Sequence, residues 1–108
     1  MKPSSLPSTE RRGGSPSPIR VRLEFTIRDP RDTVPGVAKD VSLAGVVIET
    51  ERPAPFGASV LVRLELPGYG DMILAGVVRW TTRDGMGIRF APFGVRETRA
   101  IFEFRATR

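Results

Sequence analysis

Residues 19–27 read Ile19-Arg20-Val21-Arg22-Leu23-Glu24-Phe25-Thr26-Ile27. Five apolar side chains alternate with four polar ones, a period of two that a helix cannot bury on one face but a half-buried strand can. The same alternation returns at Val60, Val62, Leu64 and Leu66, interleaved with Leu61, Arg63 and Glu65, and again at Met86, Ile88 and Phe90 around Gly87 and Arg89. Gly36 to Val41, Gly45 to Thr50 and Met72 to Thr81 supply three further strand segments. The Met72–Thr81 run is apolar on both faces up to Arg79, which predicts cover on both sides. Turn chemistry separates the runs: Asp29-Pro30, Pro53-Ala54-Pro55-Phe56-Gly57, Pro67-Gly68-Tyr69-Gly70 and Asp84-Gly85. Six short antiparallel strands of this kind predict an all-β barrel or sandwich. After Gly94, Glu97, Arg99 and Ala100 favour helix, although Phe102 and Phe104 also fit period two. A short C-terminal helix closing one end of the barrel is expected.

The 108 residues suit one domain, and ten prolines with eleven glycines favour many short elements. Residues 1–18 contain one Leu and are otherwise mostly Ser, Pro, Gly and charged residues. They are expected to form a flexible arm ahead of a barrel domain at 19–108. Of the formal charge of +5, residues 1–20 carry +3, through Lys2, Arg11, Arg12 and Arg20 against Glu10. Such a basic arm suits an anionic partner, or serves solubility alone.

Cys and His are both absent, which excludes disulfides, thiol nucleophiles, imidazole bases and the usual zinc sets. No Asp-x-Asp-x-Asp-Gly loop offers a calcium site. Catalysis would have to rest on carboxylates, Lys2 or Lys39, Tyr69, or hydroxyls without an imidazole, so the domain is read as no enzyme. No cofactor or metal is expected. The first residues lack the apolar core of a secretory signal and no run is long enough to span a bilayer, so a cytoplasmic location without membrane insertion is expected.

One stretch carries more than fold. Asp40-Val41-Ser42-Leu43-Ala44-Gly45 places a carboxylate, a hydroxyl and a glycine at spacing D-x-S-x-x-G between the second and third strands. Asp accepts hydrogen bonds and Ser donates or accepts, and two positions apart they can point the same way. Guanine offers N1–H and N2–H₂ donors along one edge, which a carboxylate can accept as a pair. Gly45 permits a tight turn or a close approach. A plain Asx or Ser turn explains the same residues.

The layout from about Ile19 to Phe104 resembles the PilZ domain, the bacterial receptor module for cyclic di-GMP. Asp40-x-Ser42-x-x-Gly45 carries the resemblance, with Pro55-x-Gly57, the Val60–Leu66 strand, Gly76-Val77-Val78-Arg79-Trp80 and Gly85-Met86-Gly87-Ile88-Arg89-Phe90. It implies a six-stranded antiparallel β-barrel with a nucleotide site at Asp40, Ser42 and Gly45. It also implies an Arg-x-x-x-Arg element just before the first strand, gripping guanine edges and phosphates. Arg20 stands where the second arginine is expected, but four residues earlier is Pro16, and the nearest upstream candidates are Arg11 and Arg12. One bidentate Arg–guanine contact contributes about 1–3 kcal/mol, so its loss weakens binding roughly 5- to 150-fold.

Trp80 either stacks on a guanine or shares the face of Met72, Leu74 and Val78 and fills the core. Arg79 and Arg89 line the ligand surface or are simply solvated. Three functions fit these residues to different degrees. The first is a cyclic di-GMP receptor using Arg11, Arg12, Arg20, Asp40, Ser42, Gly45 and Trp80. The second is a degenerate adaptor for an unidentified protein partner. The third, a nucleic-acid-binding barrel, fits poorly, because one Trp and one Tyr make no row of stacking aromatics.

Overall fold

The computed structural model describes residues 20–107; Ile19, Arg11, Arg12 and the rest of the arm lie outside the described residues. Six strands, β1 (Val21–Arg28), β2 (Arg31–Val41), β3 (Gly45–Glu49), β4 (Ser59–Leu66), β5 (Gly70–Thr82) and β6 (Gly85–Phe90), precede one helix, α1 (Val95–Ala106). All pairings are antiparallel, in the order β1-β2-β3-β6-β5-β4, and β4 pairs back onto β1 to close a barrel.

The period-two rows point inward as their alternation requires. Val21, Leu23 and Phe25 of β1 and Val60, Val62, Leu64 and Leu66 of β4 are buried, each large side chain contributing about 1.5–3 kcal/mol by leaving water. Val34, Ala38, Ile48, Leu74, Val78, Met86 and Ile88 join them in the interior.

Two strand readings need correction. β2 begins at Arg31, five residues before the expected Gly36. A tight turn with a cis Asp29–Pro30 bond joins it to β1, and the ladder runs unbroken from Arg28–Arg31 to Val21–Ala38. Only Val34 among residues 31–35 faces the core, so this half has no alternation to read and owes its strand form to the hairpin. Pro35 sits within it at no cost to the ladder. Its carbonyl accepts Thr50 Oγ1 at 2.9 Å, and a residue's N–H points the same way as its C=O, here away from β1. β5, in turn, is not covered on both faces: Met72 and Leu74 are buried, but Ile73 and Val77 are exposed.

The expected C-terminal helix is present. α1 buries Ala100, Ile101 and Phe104 in the barrel core and leaves Phe102 outside. Arg96 donates to the Asp71 carbonyl (3.5 Å) and Arg105 to Asp40 (3.1 Å). These contacts fasten α1 over the end where β2 finishes and β5 starts. No helix among the described residues is long and apolar enough to cross a membrane.

Candidate functional site

Strict alternation would send both Asp40 and Trp80 into the barrel. In β2 the even positions Val34, Gly36 and Ala38 face inward; in β5 so do Met72, Leu74, Gly76 and Val78. Each strand then carries one extra residue. The β2–β3 register jumps from Ala38–Ile48 to Asp40–Val47, leaving Lys39 as a bulge, and the β5–β6 register jumps from Val78–Ile88 to Trp80–Gly87, leaving Arg79 as another. A bulge reverses the facing of the residues beyond it. Asp40 and Trp80 are thereby turned to the outer surface, and Val41 is returned to the core at 1% exposure.

The two residues beyond the bulges share one line. Asp40 pairs with Val47, Val47 with Gly87 and Gly87 with Trp80, so four strands place them across a single transverse row of the outer face. The indole lies against the β6 backbone, because a Cβ added at Gly87 would come within 2.1 Å of Trp80 Nε1. Trp80 remains 44% exposed. The core-filling alternative for Trp80 is thus overturned: the bulge at Arg79 rotates it out of the barrel. Arg89, one row over and paired with Gly45 and Val77, is also outward and exposed.

The remaining sequence candidates divide. Ser42 Oγ accepts the N–H groups of Ala44 (3.2 Å) and Gly45 (3.3 Å), which makes a serine turn between β2 and β3. Gly45 is dictated by packing, since a Cβ there would stand 1.9 Å from the Ile88 carbonyl oxygen. Arg20, just ahead of the Val21–Ala38 pair, lies beside the β2 bulge and reaches Glu49 of β3 at 3.3 Å. Both side chains of that pair are exposed, so it contributes little to stability. Asp40 is ion-paired with Arg105 of α1, whose Nη1 also donates to the Val41 carbonyl. Sequence reasoning missed Arg105: it lies 65 residues from Asp40, and no local spacing joins them.

An open groove of about 1070 Å³ runs over the outer face of β4, β1 and β2 and touches neither Asp40 nor Trp80. Glu24, Glu49, Glu51, Glu65, Asp71 and Asp84 line it against Arg22, Arg52 and Arg63. The Arg63 guanidinium, hydrogen-bonded to Asp71 and near Glu24, is held above the usual arginine range. An acidic lining repels a phosphate ligand, whatever the groove's size. Among the described residues no cluster of three acidic side chains gathers to hold a metal ion.

Comparison with known proteins agrees with this architecture. The family model for the PilZ domain matches residues 8–105. Among solved structures, the PilZ domain of CeSA from a cellulose-synthesizing bacterium superposes with a TM-score of 0.67 at 18% identity, covering 84% of this chain and 94% of that one. MrkH of K. pneumonia superposes with a TM-score of 0.67 at 15% identity, covering 83% of this chain and 45% of that one. At such identities the likeness is one of fold. No curated protein sequence matches. With the family model spanning all six strands and nearly all of the helix, the chain belongs to the PilZ domain family.

Proposed function

We propose that this domain is a non-catalytic cytoplasmic receptor for cyclic di-GMP, bound on the outer row from Asp40 to Trp80. The observation that carries the reading is the pair of bulges at Lys39 and Arg79, which turn a carboxylate and an indole onto the same face. Asp40 accepts the N1–H and N2–H₂ donors of one guanine, and the half-exposed indole stacks on a base for about 1–3 kcal/mol. Arg20, beside the bulge, meets a phosphate and is joined by Arg11 or Arg12 from the arm. Ser42 and Gly45 serve by shaping the turn that presents Asp40. Ligand engagement then alters the surface seen by a protein partner.

The adaptor reading is the second one, and a specific observation favours it: Pro16 stands where the first arginine of the family pair would be. One calorimetric titration with cyclic di-GMP separates the two. The receptor reading expects saturable binding, weakened in Asp40→Ala and in Arg20→Ala, because losing a charged hydrogen bond costs about 1.5–3 kcal/mol, roughly 10- to 150-fold in Kd. No saturation at hundreds of micromolar ligand and moderate salt leaves the adaptor.

A further inference from the structure

The arginine absent from the N-terminal element has a counterpart at the other end of the chain. Arg105 sits in the last turn of α1, beside the buried Phe104, so the packing of the helix fixes where its side chain starts. Its far end is fixed too. Nη1 donates to Asp40 Oδ1 at 3.1 Å and to the Val41 carbonyl. A guanidinium carries five N–H donors in a planar fork, and here Nε and Nη2 donate no hydrogen bond to another described residue. The side chain stays 42% exposed and that of Asp40 60%. Arg20 and Lys39 lie on the β1–β2 side of the same carboxylate. Arg20 is already ion-paired with Glu49, so it is the uncommitted N–H donors of the Arg105 fork that suit an anion arriving beside the guanine that Asp40 holds.

We propose that Arg105 of the C-terminal helix is a binding residue of this site, steadying Asp40 through Nη1 and offering Nε and Nη2 to a phosphate of the bound nucleotide. This rests on the receptor reading above and deepens it. Because both ends of the side chain are already held, little rotamer freedom is lost on binding, unlike an arginine recruited from an arm. Binding also ties α1 to the ligand: the helix that closes the barrel becomes part of the nucleotide's contact surface.

The test is calorimetric titration of cyclic di-GMP into the full chain and its variants at two salt concentrations. Arg105→Ala should weaken binding about tenfold or more, as expected for a lost charge-assisted hydrogen bond, and flatten its salt dependence. Arg105→Lys keeps the cation but not the fork and should fall between. In the Asp40→Ala background, Arg105→Ala should weaken binding further, because the contact with phosphate does not run through the carboxylate. Arg99, paired with Glu103 at 3.3 Å on the exposed side of the helix, is the control, and Arg99→Ala should bind as wild type does. If Arg105→Ala disturbs the helix by circular dichroism, Arg105→Lys still reports on the fork. Wild-type affinity in Arg105→Ala, no added loss in the Asp40→Ala background, or an equal loss in Arg99→Ala overturns this proposal and leaves the receptor reading standing. Absence of saturable binding by wild type removes both.

Discussion

Gly45 is the glycine of D-x-S-x-x-G, and replacing it with alanine tests what that glycine is for. In the barrel it pairs with Arg89, and an added Cβ would lie 1.9 Å from the Ile88 carbonyl oxygen and 3.0 Å from its carbon. A carbon–oxygen contact is comfortable near 3.3 Å, so β3 and β6 would have to part by about 1.4 Å. Hydrogen-bonded strands sit about 4.8 Å apart, and such a shift disrupts the ladder together with the Phe90 N–H bond to Ala44 (2.8 Å). Overpacking costs about 1–3 kcal/mol when side chains can yield. Here the obstacle is backbone inside a closed barrel, which puts the cost at the top of that range. With about 4–8 °C lost per kcal/mol in a domain of this size, Gly45→Ala should melt about 12–24 °C below wild type. The assay is thermal unfolding by circular dichroism without nucleotide. A melting temperature within about 4 °C of wild type would refute the reasoning; paired with lost nucleotide binding, it would mean that this glycine exists for ligand approach.

Two further substitutions separate structure from binding. Ser42→Ala removes the acceptor for the Ala44 and Gly45 N–H groups and should cost about 0.5–1.5 kcal/mol, read as a lower urea midpoint with unchanged slope. An unchanged midpoint would mean that the turn needs no hydroxyl. Gly87→Ala forces the Trp80 indole off the β6 backbone, but an exposed side chain can swing away, so it should unfold far less readily than Gly45→Ala. The emission of the single tryptophan should shift to the red and nucleotide stacking should weaken; an unmoved emission maximum would show the indole already free of β6.

Legibility in the sequence tracked how far each feature depends on local pattern. Residues 21–25 and 60–66 announce their inward faces because burial and alternation coincide there. Residues 31–35 announce nothing, since their strand form comes from the partner in the hairpin. Asp40 was legible as a candidate, yet its outward facing, like that of Trp80, depends on one extra residue per strand that leaves no mark in a hydrophobic pattern. Motif spacing singled out Ser42 and Gly45, whose contacts in the barrel are those of a turn and a tight crossing. Arg105 was invisible, because only the closing of the barrel by α1 brings it to Asp40.

Closure of the ladder between β4 and β1 has a consequence for how the domain meets other proteins. Every strand has a neighbour on each side, and the backbone laddered on one side only is short: residues 31–36 of β2, which pair with β1 but not β3, and residues 70–74 of β5, which pair with β4 but not β6. A partner that lengthens the sheet by donating a strand of its own, a common way for peptides to bind β-domains, has only those short segments to pair with. Elsewhere recognition goes through side chains on the outer face, through the loops, or through the exposed side of α1, where Val95 and Phe102 stand in solvent. Specificity for a partner can therefore be rewritten by surface substitution without touching a single backbone hydrogen bond of the barrel.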